Sequence, residues 1–328
     1  MSTNLVSAIR DTLHAEMLAD ERVVLLGEDV GVRGGVFKVS EGFVDEFGER
    51  RVIDSPLAES GIVGVAIGMA LHGMRPVAEI EFADFIHPAF DQIVSEAARM
   101  RYRTNGDWTC PMVIRAPCGG GIHGALYHSQ SIEAFYAHVP GLKVVMPSTP
   151  ADAAGLLRSS IRDPDPVLFL EHKKCYRAVT GEVPGGDHLV PIGSAAVVRP
   201  GTDLSVITYG YELHRCLETA ARLQADEGID TEVVDVRSLS PLDAETILAS
   251  VRRTSKALVV YEDNRTYGAG AEIVATIAEE AMLDLDAPIV RIGGPDIPAM
   301  PYATALEHFF VEPTPDHLYV AMRQLAHY

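Results

Sequence analysis

Stretches with an apolar residue at every third or fourth position alternate along this chain with short unbroken apolar runs. That alternation predicts helices laid on both faces of a mostly parallel sheet. Residues 5–19 carry apolar side chains at 5, 6, 9, 13 and 17, an amphipathic helix, and 22–27 reads as a buried strand. A helix starting at Glu59 leads into a strand over 76–82 and a helix over 88–101. A strand over 112–115, a glycine-rich loop over 118–124 and a helix over 131–138 follow. The strand 142–146, the helix 150–161 and the strand 166–170 complete this half. Periodicity stops over 179–194, where Gly181, Pro184, Gly185, Gly186 and Pro191 mark a linker. Beyond it come strands over 203–208, 231–236 and 257–261, with helices over 212–225, 243–251 and 271–282. The expected organisation is a larger α/β domain over 1–180, a linker over 181–194 and a smaller α/β domain over 195–328.

Composition narrows the function classes. Hydrophobic residues make up 47% and charged residues 22%, an ordinary globular balance. No apolar run reaches the roughly 18 residues of a membrane span, so no membrane association is expected. The first residues show no basic region followed by an apolar core, so no secretory signal is expected either. The four cysteines (110, 118, 175 and 216) are scattered without a Cys-x-x-Cys pair, which points to reduced thiols, a cytoplasmic location and no zinc knuckle. A net charge of −19 disfavours nucleic acid and suits a basic protein partner.

Four stretches carry candidate chemistry. Glu59 is a single carboxylate at the head of a helix that continues, after Ser60, with apolar residues and glycines. Such a group should lose solvation and take a raised pKa, suited to proton exchange. The structural alternative is a helix-start glutamate favoured by the macrodipole. Gly27 to Gly35 follows a strand but matches neither dinucleotide nor P-loop spacing, and reads as a turn-rich loop. The run from Gly119 to Gln130 packs glycines with His123, Tyr127, His128 and Ser129. The histidines' spacing without a nearby carboxylate is a poor zinc set, and no nucleophile elbow surrounds Ser129. The run reads as a loop lining a polar site, with structural histidines as the alternative. Glu81, Phe82, Asp84 and Phe85 come off a strand's carboxyl end, where ligands bind in open α/β sheets; core packing is the alternative for the aromatics.

Taken in order, these pieces resemble a known family. Gly27-Glu-Asp-Val-Gly, Asp54-Ser-Pro-Leu-Ala-Glu59, Glu79-Ile-Glu-Phe-Ala-Asp and Pro88-Ala-Phe-Asp-Gln-Ile are similar to segments of the β subunits of thiamin-diphosphate-dependent 2-oxo acid dehydrogenases. So are His123-Gly-Ala-Leu-Tyr-His-Ser-Gln130, Pro140 to Pro150, Val234 to Asp243 and the Arg-x-Gly-Gly stretch at 291–294. The resemblance covers nearly the whole chain. Residues 123–130 look most like the branched-chain (2-oxoisovalerate) members, with pyruvate and acetoin dehydrogenase β subunits as near relatives.

The resemblance implies a pyrimidine-binding domain and a smaller C-terminal transketolase-like domain. It implies that Glu59 bonds a ring nitrogen of the cofactor's aminopyrimidine, favouring the imino tautomer that generates the ylid. Leu57 and Phe85 would flank that ring. His128 would protonate or orient intermediates and assist transfer to lipoamide, and Glu81, Phe85, Tyr127 and His128 would line the substrate pocket. Relatives often carry tyrosine at Phe85 and glutamine at Glu81, so substrate choice is less fixed than the chemistry. A monovalent cation such as potassium is implied near Met112, Ser160 and Asp163, mainly on backbone carbonyls. The diphosphate and Mg2+ motif, Gly-Asp-Gly with a later Asn, is absent from these 328 residues. In the family it lies on the α subunit, which implies an α2β2 tetramer whose sites are shared. The glycines 61, 64 and 68 would permit the close helix contacts of that interface. The C-terminal domain would make the β–β contact and dock the lipoyl acyltransferase core, a small basic domain suited to the acidic charge. A complete single-chain thiamin enzyme and a non-catalytic docking subunit are the competing expectations.

Overall fold

The computed structural model describes residues 2–311 and 315–328. The chain divides into two compact units. One comprises the residues up to Cys118 together with Phe135–Ile192; the other comprises Gly119–Ala134 and Gly193–Tyr328. The loop over 119–134 therefore clusters with the C-terminal residues, an interleaving that local periodicity does not reveal.

In the first unit the parallel strands run in the order Lys143–Val145, Val167–His172, Val113–Cys118, Arg75–Glu79, Val23–Gly27, Val52–Asp54. Every residue of Val23–Gly27, Val113–Cys118 and Val167–His172 is buried, as expected of a sheet covered on both faces. The helix Leu5–Ala19 begins where the Asn4 side chain accepts the Ser7 N–H at 2.9 Å. It buries Leu5, Ile9, Leu13 and Met17 and packs on the helix Pro150–Arg162, which Thr149 caps. Glu16 ties the pair by accepting from Arg158 at 3.0 Å and Arg162 at 2.9 Å.

The expected helix over 88–101 forms differently. Short 3-10 turns at Ala83–Phe85 and His87–Ala89 precede a π-helical segment, Gln92–Ala97, and a single α-turn, Met100–Arg103. The bond from the Ala98 N–H to the Ile93 carbonyl widens the turn, and Ile93, Ala97 and Met100 stay buried.

The second unit has strand order Val290–Gly294, Ala257–Asn264, Leu204–Thr208, Thr231–Asp235, Ala196–Arg199, parallel except for the last edge strand. Leu204, Val206, Leu213, Cys216, Leu258 and Met322 belong to its core. All four cysteines are buried and carry thiols rather than disulfides. Among the described residues no helix is long and apolar enough to cross a membrane.

Candidate active site

Parallel pairing sets Gly27 level with both Asp54 and Glu79. The residues just past these strand ends therefore gather at the carboxyl edge of the sheet, where open α/β sheets bind ligands. Glu28 follows Gly27, and Glu81 lies two residues beyond Glu79. Glu59 opens the helix Glu59–Leu71 and is 9% exposed, with no side-chain cap from Ala58. Burial, Asp29 and Glu59 together push the Glu28 carboxyl up. Glu81 is pushed up to about 7 by burial and by Glu28, Asp29 and Glu79, with Arg33 opposing. A carboxyl held there, as Glu81 is, exchanges its proton near neutral pH. Glu28 is a member that motif reading passed over; its signal was its place immediately after a buried strand.

The loop after Glu28 is fixed to this edge at Gly31, whose N–H donates to Asp54 Oδ1 at 2.6 Å. A Cβ at Gly31 would lie 2.3 Å from Asp54 Oδ2, so only glycine permits that approach. Phe85 is half-buried and meets Phe82 edge-on at 6.1 Å. Leu57 is 74% exposed. The helix that starts at Glu59 is not buried all round. Gly61, Val65 and Gly68 lie exposed at helical spacing, and a Cβ at Gly68 would meet nothing within 4 Å.

Behind the strand ends lies a second acidic group of opposite character. Arg115, 1% exposed, donates to Glu79 at 2.6 Å and to both oxygens of Glu171 at 2.6 and 2.9 Å. Tyr176 adds a hydroxyl to Glu171. Burial pushes Glu79 up while Arg115 opposes it.

Tyr127 and His128 are carried by the second unit. Tyr127 is exposed, His128 half-buried, and the two sit at the end of a 3-10 turn, Ala125–Tyr127. His123 and Ala125 both adopt left-handed backbone, with φ of 60° and 57°. Strained conformations in side-chain-bearing residues persist where surrounding structure imposes them, often at functional loops. His123 pairs through Nδ1 with the buried Glu307, a partner no local motif announces.

The residues expected around potassium also take bonds from protein groups. Both oxygens of Asp163 accept from Lys143 Nζ, at 2.7 and 2.6 Å. Arg75 donates to the carbonyls of Ile161 and Asp163 at 2.7 and 3.3 Å. The Ser160 hydroxyl is turned to the Leu156 carbonyl, and the Met112 carbonyl accepts the Val167 N–H.

The chain matches the family model described as "Transketolase, pyrimidine binding domain" over residues 2–179 and "Transketolase, C-terminal domain" over 193–318. It is 56% identical over 323 residues to the 2-oxoisovalerate dehydrogenase subunit beta of Bacillus subtilis (strain 168), covering 98% of each chain. The chain belongs to the β-subunit family of the 2-oxo acid dehydrogenases. A pyruvate dehydrogenase E1 component subunit beta of the same organism is 52% identical over 292 residues, 89% of this chain and 90% of that one. The Acholeplasma laidlawii pyruvate dehydrogenase E1 component subunit beta is 47% identical over 322 residues, 98% of this chain and 97% of that one. A solved split-gene transketolase, an inactive β4 tetramer, shares the fold with a TM-score of 0.76 at 23% identity, over 99% of this chain and 98% of that one.

This β-subunit family depends on thiamin diphosphate. The donor set around Glu59 fits the cofactor's aminopyrimidine: a buried carboxylate for a ring N–H, with Phe85 and Leu57 as apolar candidates to flank the ring. It does not extend to a divalent ion. Among the described residues no group of three or more His, Cys, Asp or Glu side chains could hold a metal.

Proposed function

We propose that this β subunit serves a branched-chain 2-oxo acid dehydrogenase, contributing Glu59 and His128 to catalysis that an α subunit completes. The observation that carries the reading is Glu59: a buried carboxylate at a helix head, unpaired by any side-chain bond among the described residues, beside an exposed small-residue face. Thiamin diphosphate, when bound, supplies the electron sink for breaking the carbon–carbon bond. Glu59 holds the proton at a ring nitrogen and fixes the ring's orientation, while Phe85 and Leu57 keep water from its faces. The C1–C2 bond of the 2-oxo acid breaks and carbon dioxide leaves. The acyl carbon then bonds to one lipoyl sulfur as the S–S bond breaks, and His128 donates the proton that the departing sulfur takes up.

The missing diphosphate motif supports an α subunit that holds Mg2+ and the diphosphate. The face of Gly61, Val65 and Gly68, with exposed Leu57, supports a helix of that subunit packing closely there. The acidic charge supports docking of a basic domain of the acyltransferase core. Branched-chain specificity rests on the higher identity to the 2-oxoisovalerate enzyme; the pyruvate reading is favoured by 52% identity to a pyruvate enzyme. Steady-state kinetics of the reconstituted tetramer decide between them. The expected preference for 2-oxoisovalerate over pyruvate in kcat/KM is about tenfold or more, since each methylene in an apolar pocket is worth about 1–3 kcal/mol. A preference for pyruvate overturns the substrate assignment.

A further inference from the structure

The loop that bears His128 is closed at its base. The Gly119 N–H donates to the Gln130 carbonyl at 2.9 Å, and Gln130 Nε2 turns back to the Leu126 carbonyl at 2.9 Å. Inside this closure the chain is tightly folded: a Cβ at Gly124 would lie 2.7 Å from both the Cβ and the carbonyl oxygen of His128. One carboxylate oxygen grips both feet of the loop. Glu262 Oε1, on the strand Ala257–Asn264, accepts the Gly120 N–H at 2.7 Å and the Ser131 hydroxyl at 3.1 Å. Glu307 Oε1 takes the next amide, that of Gly121, at 2.8 Å.

Below the clasp the support continues. Tyr209 donates to Glu133 at 3.0 Å, and the Asn264 N–H donates to Asp263 at 2.7 Å. Burial holds both the Glu133 and Asp263 carboxyls well above the usual range. The backbone of Ala134 also bonds the Asp263 carboxyl, which anchors the strand that carries Glu262 on the segment that ends the loop.

We infer that Glu262 is a positioning residue for the active-site loop, holding residues 120–131 in the left-handed turns that present His128. Charge-assisted bonds from one carboxylate oxygen to both feet close the loop without covering it, and leave His128 half-exposed at its tip. Without the clasp the strained backbone at His123 and Ala125 has less to oppose its relaxation. The inference rests on the reading of His128 as the proton donor in acyl transfer.

The test uses the reconstituted tetramer with Glu262→Ala and Glu262→Gln. Alanine removes the shared acceptor, whereas the glutamine amide oxygen still accepts both bonds. Amide exchange over residues 119–131 is expected to speed up about tenfold or more in Glu262→Ala as the loop opens locally. Lipoyl-dependent kcat is expected to fall about 10- to 100-fold, with KM for the 2-oxo acid within about threefold, because the donor is misplaced rather than removed. Glu262→Gln should stay within about threefold on all three readings. Wild-type exchange and turnover in Glu262→Ala, or a Glu262→Gln as impaired as alanine, overturns the clasp. A His128→Ala tetramer with undiminished lipoyl turnover instead defeats the reading of His128, and with it the catalytic half of the inference, whatever the exchange rates show.

Discussion

Glu79 and Glu171 lie in the interior of the first unit on either side of Arg115, whereas Glu28, Glu59 and Glu81 gather just past the ends of its strands with no guanidinium bonded to any of them among the described residues. Both groups are acidic, and members of both are buried. The first is neutralised: a fork of donors from one arginine serves two carboxylates, and Tyr176 shares one of them. In the second, burial and then neighbouring carboxylates push Glu28 and Glu81 up. Neutralised carboxylates hold strands together. Repelling ones at a strand end are chemically available, and a fold retains them at a cost in stability.

The sharpest way to break this contrast is to remove the neutralising cation. Arg115→Met leaves two buried carboxylates facing each other, and the unfolding free energy measured in urea is expected to drop by about 3–5 kcal/mol. A loss below about 1 kcal/mol would mean that the two groups do not differ as described.

Glu81 should show the opposite sign. Its carboxyl is held up to about 7 against an ordinary 4.5, so the folded chain binds its proton more tightly than the unfolded chain. Its contribution to stability is therefore complete below the unfolded value and is lost as pH rises through about 7. Glu81→Gln keeps a neutral side chain at every pH. Urea titrations should find it at least as stable as the natural chain at pH 8, with the advantage shrinking towards pH 5. A variant less stable at pH 8 contradicts the repulsion.

The smallest effect is expected from potassium. Lys143 and Arg75 already serve the acceptors around Asp163, so exchanging potassium for choline at constant ionic strength should leave the melting temperature of the chain within about 1 °C. A potassium-specific rise of several degrees would show that the protein cations do not fill that role.

How much of this was legible in the sequence depends on distance along the chain. The helix at Leu5–Ala19 and the strand at Val23–Gly27 follow from spacing alone, because the residues that specify them are neighbours. The segment over 88–101 kept its apolar positions but not its helix type, since a single bond from Ala98 to Ile93 widens the turn without changing which residues point inward. Glu59 was visible as a carboxylate ahead of an apolar helix, yet its company was not. Glu28 and Glu81 join it only when strands separated in sequence pair side by side. Arg115 reaches its two partners across 36 and 56 residues, and Glu262 reaches Gly120 across 142. Such pairings leave no periodic trace, which is also why the loop over 119–134 read as part of the first domain.

The measurement closest to the central claim is Glu59→Gln in the reconstituted tetramer, read twice on the same sample. Turnover of the 2-oxo acid should fall by about 10²- to 10⁴-fold, the range for removing a positioned acid–base group. The urea midpoint of the β chain should be unchanged or slightly raised, since a repelling carboxylate has been neutralised. Full turnover, or a loss of turnover matched by a loss of stability like that of Arg115→Met, would place Glu59 among the structural carboxylates and contradict the account.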